Sequence, residues 1–595
     1  MKRRDFLKNS TITGSLMTGM DLPLNTSQET GNAIAAEMKK YHSVVAIAAS
    51  NDPELAEPMP LHVPLTTQQI RDIVWLALDR DYSPRSLQKI VSPDSWVVIK
   101  TNIVRIAGLP EIAFNGDRAL REHFERHTDA LALVTDLRVI KALIEYLIER
   151  IGPKKITIAE GPSGWYSSGG SFKKEEFIDG WHYAFEGFGR LSYVGIAEEL
   201  NGKNGTTVDI VDLNEDEPVY VTDYDPYNSG QGALQFVPPG DPDATSDQEP
   251  TRRKGIYLPK TILDRDILIT CPVMKTHGNV GTTLFMKNLI GCVHSVPYTG
   301  DISKSPIHKG SDLNLARGIA DLACAIHPDY GVAEGFWASM SHHSGQKGIG
   351  FNHNVVIAGG DIVAAEAISN MAMGFNPLDF DLLRWCHMKK LGEWRPEHIL
   401  ISGPSVKSIK YNYMRASNKY VARGIRNWLL AGPFTSPIND IKSLNPKNGD
   451  YIEEKPWQFL NGDDVIDNDP SLDRMRYKDA LLYAIPGSNN VEKNSFFYLA
   501  CTVHGQQLGL MGQLLVGMRG GRFRVYFMGR ERRYNTESFR YDPTPSLFVT
   551  IDKGENIFIL EVEKLNDRNE EVKIAANICD FDGDKLEDIT FDSLG

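Results

Sequence analysis

The chain lacks any run of about 18 apolar residues, the length a helix needs to cross a bilayer, so no segment is expected to span one. Cysteine is scarce. Cys271, Cys292, Cys324, Cys386, Cys501 and Cys579 are the six in 595 residues, far apart and without a C-x-x-C pair. Neither a zinc ribbon nor an iron–sulfur ligand set can be drawn from that spacing, so no iron–sulfur cluster is expected. An even count permits disulfides but does not argue for them. Positive charge is also in deficit: the formal net charge of -13 works against non-specific binding to nucleic acid or to anionic membranes. A small ligand fits better. With 42% hydrophobic and 24% charged residues there is no bias toward disorder, and the length suits two or more compact units.

The N-terminus is written as an address. Met1-Lys2-Arg3-Arg4-Asp5-Phe6-Leu7-Lys8 sets paired arginines before an acidic residue and then Phe-Leu-Lys, the arrangement of twin-arginine signal peptides. A weakly apolar stretch from Thr11 to Leu24 follows, and Ala33-Ile34-Ala35 offers a cleavage site. Residues 1–35 are therefore expected to be a signal peptide engaging the twin-arginine translocase, with the protein exported folded to a periplasmic or extracellular space. Such export allows a cofactor to be inserted before transit.

From Ser43 onward the sequence alternates strand and helix patterns. Ser43 to Ala49 and Trp96 to Lys100 are compact apolar runs, with a helical segment from Thr67 between them. Thr135-Asp136 opens a helix in which Ile140, Leu143, Ile144, Leu147, Ile148 and Ile151 recur at helical spacing until Gly152-Pro153. A strand at Ile156 to Ala159 completes a βαβ unit. Strands at Asp266 to Cys271, Val355 to Ala358 and Ile399 to Ser402 alternate with helices at Asp312 to Ile326 and Asp361 to Met373. The expected fold is a mostly parallel α/β sheet over 43–405 with helices on both faces. The turn-rich stretch Tyr227 to Arg253 reads as a surface excursion. A connector over 406–490, with a basic helix-like piece from Asn418 to Leu430, leads into 491–595. There short alternating strands predict a β-sandwich-like module.

The densest chemistry follows the strand at Asp266. Lys275, His277, Gly278 and Gly281 sit where a loop would leave a buried strand, and a helix-like turn then carries Lys287 and Asn288. Ligands in open parallel sheets bind beyond the carboxyl ends of the strands. Lysine supplies a cation or, when burial lowers its pKa, a base or nucleophile; histidine moves protons near neutrality.

Lys275-Thr-His-Gly, then Gly281-Thr-Thr and Met286-Lys-Asn-Leu-Ile-Gly291, resembles the hallmark of the DUF362 family. Val98-Ile-Lys100-Thr101-Asn102 resembles its V-x-I-K-P-N block with Thr for Pro. Thr135-Asp136, Glu160-Gly161-Pro162, His308, Asp321-Leu322, Glu334-Gly335, Asp361 to Ala367 and Met373-Gly374-Phe375 match further blocks, with Glu replacing Asp at 334 and 366. The resemblance runs over roughly residues 90 to 405. It implies no reaction, since the family is named for its unknown function. Some relatives carry iron–sulfur clusters, for which this chain lacks the cysteines. The expectation is that His277, Lys275 and Lys287 act as acid–base groups. Lys100, Asn102, Glu160, Thr282, Asn288, His308 and Asp361 are expected to gather near strand ends around a small anionic substrate. Isomerase, lyase and hydrolase outcomes fit equally, and a non-catalytic exported ligand- or glycan-binding protein is the alternative.

Two further clusters stand apart. His342-His343 and His353 belong to a glycine-rich polar loop without zinc spacing. Asp580, Asp582, Asp584 and Asp588 place carboxylates at loop positions one, three, five and nine. They resemble the calcium loops of integrin-type repeats, with Lys585 where glycine is usual. A structural Ca2+ is expected there.

Overall fold

The computed structural model describes residues 41–103, 128–162, 181–182, 184–222, 236–237, 251–252, 255–278, 280–299, 304, 307, 312–340, 349–377, 380–414, 425, 427–441, 444–461, 483–532, 547–579, 586 and 589–592. The chain divides into two compact units, Met1–Ser417 and Asn418–Gly595. The signal segment, most of the Tyr227 to Arg253 excursion, His308, His342, His343 and the four calcium-loop aspartates lie outside the described residues.

The first unit is built on an eleven-stranded sheet. Its strands are β1 (Ser43–Ala49), β2 (Trp96–Lys100), β3 (Lys155–Glu160), β4 (Thr207–Asp212), β5 (Ile267–Thr270), β6 (Val273–His277), β7 (Gly281–Thr283), β8 (Tyr330–Met340), β9 (Ile349–Phe351), β10 (Val355–Gly359) and β11 (Ile399–Ser402). The main path runs β11-β1-β10-β8-β5-β2-β3-β4, with the hairpin β6–β7 and β9 attached to β8. β5, β2, β3 and β4 pair in parallel, as do β1 with β11 and β5 with β8, while β10 runs antiparallel to both neighbours. The mixed α/β, mostly parallel sheet read from the sequence is therefore present.

Helices α1 (Thr67–Asp79) and α2 (Leu137–Arg150) cover this sheet for a reason visible in their spacing. Ile70, Ile73, Val74 and Ala77 of α1 meet Ile140, Leu143, Ile144 and Leu147 of α2 in one core with Val97, Ile99, Ile156, Ile158 and Ile269. Each such side chain, once buried, contributes roughly 1.5–3 kcal/mol. Thr66 and Gln69 form a capping box at the start of α1. Asp136 caps α2, accepting from the Arg138 backbone N–H. At the far end the chain turns at Gly152, whose φ of 70 is left-handed. Further helices are α3 (Tyr193–Leu200), α4 (Phe285–Asn288), α5 (Asp312–Ile326), α6 (Ile362–Ala372) and α7 (Asp381–Met388). Among the described residues no helix is long and apolar enough to cross a membrane.

In the second unit Asn427–Phe434 is a strand, correcting the helix expected up to Leu430. It pairs with Gln458–Asn461 and Phe496–Gly505 and so joins a sheet of seven described strands, where a connector was expected. Two-sided burial accounts for the change: Trp428 packs into one apolar cluster and its neighbour Leu429 into another, as the alternation of a strand directs. A second sheet of four strands contains Leu510–Arg519, Leu547–Ile551 and Lys573–Cys579. Val503, Val525 and Leu560 of the first sheet share a core with Leu514, Val549 and Ile574 of the second.

Candidate functional site

Parallel pairing ends β2, β3 and β5 together, and this brings Lys100, Glu160 and Thr270 to one edge. Lys100 and Glu160 are the last residues of their strands and form a buried ion pair, Nζ to Oε1 at 2.5 Å. Two backbone donors complete the carboxylate: Ile103 N–H reaches Oε2 at 2.9 Å and Gly161 N–H reaches Oε1 at 2.9 Å. Burial pushes this carboxyl upward against the opposing pull of Lys100.

From the pair a polar chain runs across the strand ends. Lys100 Nζ lies 3.5 Å from Asn288 Oδ1, which also accepts from Asn102 Nδ2 at 3.0 Å. Asn102 Oδ1 in turn accepts from Lys275 Nζ at 2.5 Å, and Ala132 O does so at 3.3 Å. Asn288 is fixed from its other side by donating to Thr270 Oγ1 at 3.0 Å. Thus five of the residues singled out in the sequence, Glu160, Lys100, Asn288, Asn102 and Lys275, form one connected and buried array.

Lys275 and His277 do not lie in a loop, as the sequence suggested. They belong to β6, which folds back as a hairpin on β7, Lys275 opposite Thr283 and His277 opposite Gly281. The hairpin is itself a pair of strands because Gly281, with φ of 84, permits the reversal. Cross-strand partners share a face, so Thr282 belongs with Thr276 on the face opposite Lys275. There the Thr282 hydroxyl donates to Asn370 Oδ1 of α6 at 3.1 Å, away from the array.

Burial lowers the pKa of the lysines. Lys275 is only 2% exposed, and desolvation, aided by the Lys287 charge, pulls its ammonium down to about 7 against the counter-pull of Glu334 and Glu160. Lys287 is lowered by burial to about 8. Its one-turn helix α4 is held by Glu366, whose Oε2 accepts from Met286 N–H at 2.7 Å; burial raises this carboxyl to about 8. Glu334 lies beside the array, also raised to about 8 by burial and by the Asp136 charge, and it accepts from the backbone of Asp136 and Phe336. Both substituted acids, Glu334 and Glu366, thus favour their neutral forms near pH 7.

Lys304 was not foreseen. It donates to Asn214 Oδ1 at 2.7 Å and Val293 O at 2.8 Å, and burial lowers it to about 8. A Cβ on Gly161 would stand 3.0 Å from its Nζ. A lone lysine in a Ser-Lys-Ser stretch carried no signal in the sequence.

Asp361 lies elsewhere. It caps α6, accepting from Ala364 N–H at 3.0 Å, from Glu393 N–H at 3.0 Å and from the Ser43 hydroxyl. His353 is a core residue between the Tyr413 hydroxyl and Ile409 O, and burial lowers it to about 4. The five cysteines whose side chains are described are buried, and no disulfide joins them.

No curated protein matches the chain. Among solved structures, a β-glucosidase from Kluyveromyces marxianus in complex with glucose is 10% identical over 29% of this chain and 22% of its own, with a TM-score of 0.18. The chain thus spans under a quarter of that protein. The lactate racemase apoprotein from Thermoanaerobacterium thermosaccharolyticum is 12% identical over 56% of this chain and 68% of its own, with a TM-score of 0.24. At these scores neither likeness bears on chemistry. Residues 219–370, which include β5 to β8, α4 and most of α6, match the DUF362 family model, described as a domain of unknown function.

Proposed function

We propose that the strand-end array is an acid–base centre acting on a small anionic substrate, in an enzyme exported folded by the twin-arginine route. The observation that carries this reading is Lys275: a buried amine lowered to about 7, hydrogen-bonded to Asn102, exchanges its proton where a general base works best. Lys100, Lys275, Lys287 and Lys304 lie among few ionised acids, since burial favours the neutral forms of Glu334 and Glu366. That excess of cations suits a carboxylate or phosphate. His277, at the end of the same strand, is the second proton carrier.

Helices on both sheet faces, and a sandwich of the two C-terminal sheets over their shared core, complete this reading of the architecture. A calcium ion at Asp580, Asp582, Asp584 and Asp588 would stabilise the secreted form. The reading is tested by incubating the full chain with a panel of small carboxylates and phosphate esters and following turnover by mass spectrometry. Turnover lost in Lys275→Met, with far-ultraviolet circular dichroism unchanged, supports it. Turnover retained by that variant overturns it.

A further inference from the structure

We infer that His42, Glu393 and His398 form a binding site for a divalent late first-row metal ion of the zinc class, separate from the lysine array. The sheet makes this site. His42 and His398 are the residues immediately before β1 and β11, and the parallel register Ser43 to Ile399 sets them side by side, with His42 N–H donating to His398 O at 3.0 Å. Their rings stand 4.6 Å apart between centroids. Both Nδ1 atoms address the same carboxylate oxygen: Glu393 Oε2 lies 2.7 Å from that of His42 and 3.1 Å from that of His398. All three candidate ligand atoms fall within 4.8 Å of one another, so ligand bonds of about 2.0–2.1 Å need only small side-chain movements.

Glu393 is oriented for this task by its surroundings. Its Oε1 accepts from Trp394 N–H, Arg395 N–H and Arg395 Nε, each at 3.0 Å, which leaves Oε2 turned toward the imidazoles. Arg395 Nη2 also lies 3.1 Å from Oε2, and Asp361 holds the Glu393 backbone N–H. A ligating carboxylate fixed by hydrogen bonds is what a pre-organised metal site requires. The His42 side chain is 39% exposed, so the ion has a route in and coordination positions remain open to water. Two imidazoles and one carboxylate suit zinc and its late first-row neighbours far better than calcium or magnesium. The Arg395 charge opposes a cation and sets a limit on affinity.

The test is zinc titration of the chelator-treated full chain by calorimetry, with cobalt(II) absorption as a second probe. One equivalent of zinc is expected, weakened more than about tenfold in Glu393→Gln and His398→Ala. The exposed His42→Ala variant covers the case in which the less exposed substitutions fail to fold. Zinc bound equally by all the variants, or not bound by the wild-type chain, overturns the proposal.

Discussion

Gly291 lies directly against the Glu160 carboxylate. A Cβ on Gly291 would overlap Glu160 Oε1 and fall 2.6 Å from Lys100 Nζ. The glycine that closes the Met-Lys-Asn-Leu-Ile-Gly motif therefore has a physical role: its backbone covers a buried ion pair at a separation no side chain allows. Gly161 approaches from the other side, where a Cβ would strike Gly291 O.

Gly291→Ala should consequently lower stability by about 1–3 kcal/mol through overpacking alone, and by more if the ion pair separates. Denaturant unfolding of the full chain measures this. A change within ~0.5 kcal/mol would show that the backbone over the pair yields easily.

Lys100→Met and Glu160→Gln each leave one buried charge or its donors unmatched, at a cost of about 3–5 kcal/mol. The double variant should cost less than the sum of the two. A double-mutant cycle by chemical denaturation gives the coupling directly, and simple additivity would mean that the two groups do not stabilise each other.

Lys275 should titrate near 7, in place of the ordinary value of 10.5. Nuclear magnetic resonance of lysine labelled at Cε would follow it. Because the Lys287 charge helps to depress it, Lys287→Met should move the midpoint upward. A midpoint near 10 in the wild-type chain would remove the basis for base catalysis by this group.

Glu366 holds its proton in the folded state up to about 8, against an ordinary 4.5. Between those values the folded chain binds more protons than the unfolded chain, so this group's contribution falls as pH rises through the window. Glu366→Gln keeps an acceptor for Met286 N–H and removes that fall. It should match the wild type below about pH 5 and exceed its stability above about pH 8, as thermal melts across pH would show. Lys275 acts with the opposite sign from about 7 to 10.5, where the unfolded chain carries the extra proton.

Local pattern was enough for several features. The apolar runs of β1, β2 and β3, the helical spacing from Ile140 to Leu147 and the Asp136 cap are written in neighbouring residues, and each formed where the pattern placed it. The ordered motifs likewise pointed to Lys100, Asn102, Glu160, Lys275 and Asn288, of which Lys100 and Glu160 end strands and Asn102 follows one, while Lys275 lies within β6 and Asn288 ends α4. Long-range pairing decided the rest. Thr282 shares the hairpin with Lys275 but faces α6, since strand alternation turns adjacent residues to opposite sides. Trp428 and Leu429 needed a sheet with two buried faces before their segment could be a strand. His42 and His398 stand 356 positions apart in the chain, and only the parallel register of β1 with β11 sets them beside Glu393. Lys304, distant in sequence from Glu160, likewise comes within electrostatic reach of it only through the fold. Periodicity and motif record what a segment does by itself; which side chains meet depends on register and on burial from both sides, and neither is a property of the segment.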